Sequence, residues 1–303
     1  MILVKVLYVA KHDSGHNDDE GAICHSLEEL GWEVVKILEK QAQSKLSNGK
    51  WKEYGASLLL FHHWSDPEIL QEVTIPKVFW YFDLVTFPDE TIERRNCARR
   101  NWMAETIPHI DLGFCTDGDW VAKDKSGKLC LLRQGADSRV MGVWPTKNKL
   151  QTIPLLFTGM KTGGKIRRAF FEGIQRKYGQ RFINHRRCYK QDLGKLISQT
   201  QIVIAPDGPI TNRYWSNRIY MTLGFGGFLL HPYCADLAME YEDEKEVLFY
   251  KDREQLHEMV KYYQHRSNDR NTVRNAAFIR TQKEHTYTHR CRLLIYTIQE
   301  RLF

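Results

Sequence analysis

Short apolar runs, separated by longer stretches with helical periodicity, recur from one end of this chain to the other, and that alternation restricts the fold more than any other feature. Leu3 to Val9, Glu33 to Ile37, Ala56 to Phe61, Lys77 to Phe82 and Asp111 to Cys115 read as strands. Asp18 to Leu30, Pro67 to Val73 and Ile92 to Glu105 read as the helices between them. Strands that alternate with helices predict parallel sheets covered on both faces. Gln134 to Gln151 breaks the rhythm with Gly135, Gly142 and Pro145, so the linker is placed there. The rhythm then resumes with Ile153 to Phe157, a helix from Lys165 to Tyr178, a strand near Arg181 to Asn184, a helix from Asp192 to Ser198 and a strand from Ile202 to Ala205. Later come a strand at Val247 to Tyr250 and helices at Arg253 to Gln264, Asn271 to Lys283 and Thr288 to Arg301. The fold class is α/β, with Rossmann-like domains over 1–140 and 151–303, and 303 residues suffice for both cores.

Charge is divided unevenly. The first 150 residues carry a net −3 and the remainder +10, within a total of +7, which suits an anionic ligand or a nucleic acid in the second half. The seven cysteines stand singly, in odd number and without a CxxC pair, which argues against a disulfide framework and a cysteine zinc site. No run of about 18 apolar residues occurs, and MILVKVLYVA enters a strand pattern directly, so a cytoplasmic protein with no membrane span is expected.

Function is most legible from Ser216 to Glu240. Asn217 and Arg218 open a helix, Gly226-Gly227 ends it, and Phe228-Leu229-Leu230 resumes as a buried strand. Unpaired amides at a helix start and a forked guanidinium both match a diphosphate, although an arginine in a first turn is equally often a surface residue. The segment resembles the C-terminal domain of the CgeB-like (spore-maturation type) glycosyltransferases. These are a branch of the GT-B superfamily, in which two Rossmann-like domains face a cleft. Ser216, Arg218, Tyr220, Gly226, Gly227 and Glu240 carry the resemblance, with His285-Thr286-Tyr287 similar to a late motif of the family. It extends best over Ile153 to Phe303. It implies a nucleotide sugar, expected to be a UDP-sugar, bound through Ser216, Asn217, Arg218, Tyr220, Gly226, Gly227 and Glu240, with no separate cofactor, and a last helix that crosses back to the first domain. Met221 stands where the family usually has a glutamate that binds the donor's ribose.

Upstream, Phe157 to Arg168 is a strand, a glycine loop and a basic helix start, without a Walker loop or a GxGxxG. The resemblance favours Arg168, three residues before Phe171, as the second phosphate contact, with Lys165 the next candidate; the alternative is a solvated helix start. In the first domain, the loop Lys11 to Gly21 and the ends of two strands fall where open α/β sheets collect ligands. Asp19 and Asp83 are the candidate catalytic bases, and His16, His62 and His63 candidate acceptor contacts, with helix capping or structural roles about as probable for each. Neighbours on a strand face opposite ways, so His62 and His63 are not expected to share a metal. Arg95 and Arg99, one helical turn apart, could grip a phosphate backbone or form an exposed face. The expectation is therefore a metal-independent glycosyltransferase. A hydroxymethylated pyrimidine in DNA, as modified by phage enzymes of similar architecture, is the leading acceptor. A protein or cell-surface glycan acceptor, or a non-catalytic nucleotide-binding module, are the alternatives.

Overall fold

A computed structural model describes residues 4–12, 19–86, 93–142, 151–159, 165–186, 188–205 and 211–303, apart from the side chains of 93–96. The chain divides into two units. The first comprises Met1–Thr86, Glu93–Gln134 and Tyr287–Phe303, and the second contains Gly135–Thr286.

The first unit is built on β1 (Lys5–Ala10), α1 (Asp19–Glu29), β2 (Glu33–Leu38), α2 (Ala42–Leu46), β3 (Leu58–Phe61), α3 (Pro67–Glu72), β4 (Lys77–Tyr81), α4 (Glu93–Thr106), β5 (Leu112–Cys115), α5 (Gly118–Val121) and β6 (Leu129–Leu131). Its six strands are parallel, in the order β2-β1-β3-β4-β5-β6. Alternate residues divide between two cores, as the period of a strand requires. Val6, Tyr8, Leu58, Leu60, Val78 and Trp80 pack under α1 and the final helix, while Leu7, Val9, Leu59, Phe61, Phe79 and Tyr81 pack against α2, α3 and Met103 of α4. Asp66 starts α3 by accepting from the Ile69 amide ahead of Pro67, a residue whose fixed φ suits the first helical position.

The second unit runs β7 (Ile153–Thr158), α6 (Lys165–Tyr178), β8 (Phe182–His185), α7 (Lys190–Ser198), β9 (Thr200–Ile204), α8 (Arg218–Gly224), β10 (Leu229–Pro232), α9 (Ala235–Glu240), β11 (Leu248–Tyr250), α10 (Arg253–Gln264) and α11 (Ser267–Glu284). Its five strands are also parallel, in the order β11-β10-β9-β7-β8. Leu155, Phe157, Ile202 and Ile204 face α6 and α10, and Leu156, Val203 and Leu229 face α7 and α8.

The last helix, α12 (Tyr287–Leu302), returns to the first unit. There Tyr287, Cys291, Leu294 and Ile298, spaced four, three and four apart, bury one stripe against α1 and the sheet. Two parallel-sheet α/β units are what the alternation predicts. The chain from 39 to 54 folds into short helical turns, and β6 and α5 appear in addition, all three too short for periodicity to register. All seven cysteines are free. Among the described residues no helix is long and apolar enough to cross a membrane, and no cluster of candidate metal ligands occurs.

Candidate functional site

In an open parallel sheet, ligands collect beyond the carboxyl ends of the strands, where the strand order reverses. In the second unit that point lies between β7 and β9, which are sequential neighbours of β8 but pair with each other. The chain leaves β7 through Gly159 at φ +134°, a conformation that disfavours any side chain. Its position is fixed by its amide donating to the His185 carbonyl at 2.9 Å and by the Asn184 side-chain amide donating to its own carbonyl at 2.9 Å. A Cβ at this position would lie 2.9 Å from Arg218 Nη2, so glycine is what lets the guanidinium come down against the strand end.

Arg218 is the first residue of α8 and is half-buried. Its Cζ lies 5.2 Å from the Phe157 ring centroid, and its Nη1 donates to Ser216 Oγ at 3.4 Å. A second guanidinium, that of Arg167, lies 5.2 Å from the same centroid and 5.8 Å from the Phe171 ring. Two cations held over one ring at the sheet's switch point create a local positive field matched to a bound anion. Arg168 and Lys165 are exposed on α6. The phase of α6 accounts for this: Phe171 and Ile174 form its buried face, and Arg167 falls four and seven residues before them on that face. Counting back from Phe171 in the sequence would have selected Arg167.

Gly226 and Gly227 lie at the opposite end of α8 from Arg218 and end the helix, as the sequence predicts. Gly226 adopts φ +66°, and the two amides donate to the Leu223 and Thr222 carbonyls at 2.9 and 2.8 Å. A Cβ on Gly227 would meet Thr222 Cγ2 at 2.7 Å and Ile197 Cγ2 at 2.9 Å. Helix termination and close packing account for the pair.

Two residues beyond Arg218, Tyr220 Oη donates to Glu240 Oε2 at 2.6 Å, and His285 Nδ1 lies 3.3 Å from the same oxygen. Glu240 thus closes a network from α8, α9 and the chain after α11, its side chain one-fifth exposed. Met221 is buried in the core below. Asn217 is the N-cap of α8, without a side-chain capping bond to the helix start.

The first unit presents polar groups at the matching edge of its own sheet. Asp83, directly after β4, accepts from Arg99 Nη2 at 2.9 Å with its side chain 45% exposed. Arg99 Nη1 donates to the Leu84 carbonyl at 2.7 Å, so this arginine fastens the loop after β4. His63 stacks edge-on against Tyr81 at 4.8 Å. Burial pushes its imidazole below the ordinary value, the Asp83 carboxylate offsetting part of this while Lys11 and Arg99 add to it. Asp19 opens α1, half-buried, with Glu20 beside it in the positive first turn. His16 and the Arg95 side chain lie outside the described residues, as does 160–164 of the glycine loop.

His62 departs from the expected acceptor contact, being buried. It points into the core, where Nδ1 donates to the Trp80 carbonyl at 2.5 Å and Nε2 accepts from the Tyr8 hydroxyl, which fixes a neutral tautomer. Burial holds it near a pKa of about 3. A group depressed below its unfolded value of about 6.5 contributes stability that is complete above that value and is lost as pH falls toward 3. At pH 5 the loss is about 2 kcal/mol. Urea unfolding at pH 7 and pH 5 should therefore show a larger decrease for the native chain than for His62→Gln, by about that amount; equal decreases would mean that this imidazole does not govern acid sensitivity.

A family model described as glycosyl transferase-like matches residues 143–295, half of the chain. No curated protein matches the chain significantly. Among solved structures, sucrose-phosphate synthase from Thermosynechococcus elongatus superposes with a TM-score of 0.69 over 98% of both chains at 13% identity. An alpha-glucosyltransferase in complex with UDP and a 13-mer DNA containing a central A:G mismatch superposes at 0.66 over 97% of this chain and 99% of the other, at 10% identity. Anabaena HepE in complex with UDP and glucose does so at 0.62 over 98% of this chain and 100% of the other, also at 10% identity. At such identities the likeness is one of fold.

Proposed function

The chain is a glycosyltransferase, a member of the glycosyl transferase-like family, and from that premise we propose that it moves a sugar from a UDP-sugar, bound by the second unit, to an acceptor hydroxyl bound by the first. The observation that carries the reading is the Arg218 guanidinium lying over Phe157 and against Gly159 at the switch point of the second sheet. In the reaction, the acceptor oxygen bonds to the anomeric carbon as the bond from that carbon to the diphosphate breaks. The negative charge arriving on the diphosphate is met by Arg218, with Arg167 beside it and Lys165 and Arg168 on the exposed start of α6. Ser216 and Asn217 border the same helix start. The Glu240 carboxylate, steadied by Tyr220 and His285, offers an acceptor for donor hydroxyls, a role that Met221 cannot fill.

Asp83 takes the acceptor proton if the anomeric centre inverts, with Asp19 the second candidate. The pairing of Asp83 with Arg99 and its nearness to His63 favour it, because each neighbour helps to hold the carboxylate in place. The CgeB-like subtype and a hydroxymethylated pyrimidine of DNA as acceptor form the finer part of the proposal. The total of +7 leans toward a polyanionic acceptor, against the −3 of the first 150 residues, and the DNA in the complex of the alpha-glucosyltransferase neighbour is in keeping with it. A base acceptor would have to be turned out of its stack.

A thermal-shift series with UDP-, GDP- and dTDP-sugars tests the donor. UDP-sugars should raise the melting temperature and the others should not, and mass spectrometry of hydroxymethylated DNA and of glycans incubated with the best donor then reads the acceptor. Stabilisation by no nucleotide sugar would overturn the donor assignment. Transfer to glycan alone would replace the DNA reading.

A further inference from the structure

Helix α12 has two faces. One is the buried stripe Tyr287, Cys291, Leu294 and Ile298 described above. The other exposes Arg292, Leu293, Tyr296, Gln299 and Glu300, with Leu293 48% and Tyr296 60% accessible. Phe303 at the same end is 69% accessible. Of the nine large apolar side chains exposed among the described residues, three belong to this short stretch. Scattered exposed apolar residues need no explanation, but a row at helical spacing on an amphipathic helix is the form a helix–helix contact takes.

The charges on this face identify what fits it. Arg292 and Glu300 stand four residues on either side of Tyr296, and neither has an ion-pair partner among the described residues. A second α12 laid antiparallel about a two-fold axis at Tyr296 would set Arg292 of each copy against Glu300 of the other, twice. Leu293 would meet Gln299 and the two Tyr296 rings would meet at the axis. A parallel arrangement would instead place arginine on arginine and glutamate on glutamate, which is repulsive. Self-complementarity of this kind is what a two-fold interface requires.

We propose that the outer face of α12 is a homodimer surface in which two copies pair antiparallel through Leu293 and Tyr296, with reciprocal Arg292–Glu300 ion pairs fixing the polarity. A helix of 16 residues is about 24 Å long. A contact confined to it falls at the small end of specific interfaces, so association is reversible and in the micromolar range. The surface lies on the side of the first sheet covered by α1 and α12.

Sedimentation velocity of the full chain, from about 1 to about 100 µM, tests this with Arg292→Glu, Glu300→Arg and the double exchange R292E/E300R. The native chain should pass from monomer to dimer over that range. Each single exchange should weaken the dimer by about 100-fold or more, because it places like charges together at two positions. The double exchange should restore the native association. Both positions of substitution are on the surface, and circular dichroism checks that each variant is folded. A native chain that stays monomeric at the top of the range overturns the proposal. So does any dimer whose strength ignores the single exchanges, or is not recovered in the double.

Discussion

Arg218→Ala is expected to lower kcat/KM for sugar transfer by about 10²- to 10³-fold while the protein stays folded. The size follows from where the guanidinium stands. Charge builds on the diphosphate as the glycosidic bond breaks, and a fixed donor aimed at that charge acts most strongly in the transition state. The fold should survive, because Arg218 is only half-buried and the helix it begins is anchored by Ile219, Tyr220 and Leu223 in the core. The loss should fall mainly on kcat rather than on KM, which distinguishes stabilisation of the leaving group from simple donor binding. Arg218→Lys keeps the charge but not the planar fork, and should recover only part of the activity. Arg167→Ala should cost more than Arg168→Ala, since Arg167 shares the Phe157 ring with Arg218 and Arg168 is solvated. Turnover of Arg218→Ala at the native rate would remove this residue from the reaction and with it the central premise of the proposed site.

The contrast between Arg167 and Arg168 shows what could and could not be read in advance. The alternation of apolar runs and helical periods is a local property, so the strands Lys77–Tyr81 and Ile153–Thr158 and the helix Lys165–Tyr178 were legible. Which of two adjacent arginines faces the sheet is also local, encoded in the phase of Phe171 and Ile174, but it needs the buried face as reference rather than a motif. Likewise, adjacent strand residues pointing opposite ways was legible for His62 and His63, whereas which of them faces the core depends on Tyr8 and Trp80, contributed by two other strands. That Gly226-Gly227 ends a helix was legible, but the packing partners of Arg99 and Gly227 were out of reach for the same reason. Arg99 is explained by Asp83 and Leu84, and Gly227 by Ile197, partners whose proximity only the fold creates.

Asp83→Asn is expected to slow transfer by about 10²- to 10⁴-fold, the range associated with losing a positioned general base. Asparagine has nearly the shape of aspartate and keeps an oxygen to accept from Arg99 Nη2, and the Arg99 bond to the Leu84 carbonyl does not involve residue 83. The loop after β4 should therefore hold its place, so that the variant reports on proton transfer and not on collapse of the loop. Two readouts separate these causes. Stabilisation of the protein by UDP-sugar should be unchanged, because the donor is assigned to the other unit. The loss should fall on kcat rather than on KM, as for a group that acts only in the transition state. His63 is held below its ordinary pKa chiefly by burial, so it stays neutral near pH 7. Asp19→Asn should cost less than about tenfold, as befits a residue at the start of α1 whose charge favours the helix. If the two variants exchange magnitudes, the base belongs to α1. If both keep near-native rates, the transfer needs no carboxylate from the first unit, and a retaining course, in which no such base abstracts the acceptor proton, becomes the consistent mechanism.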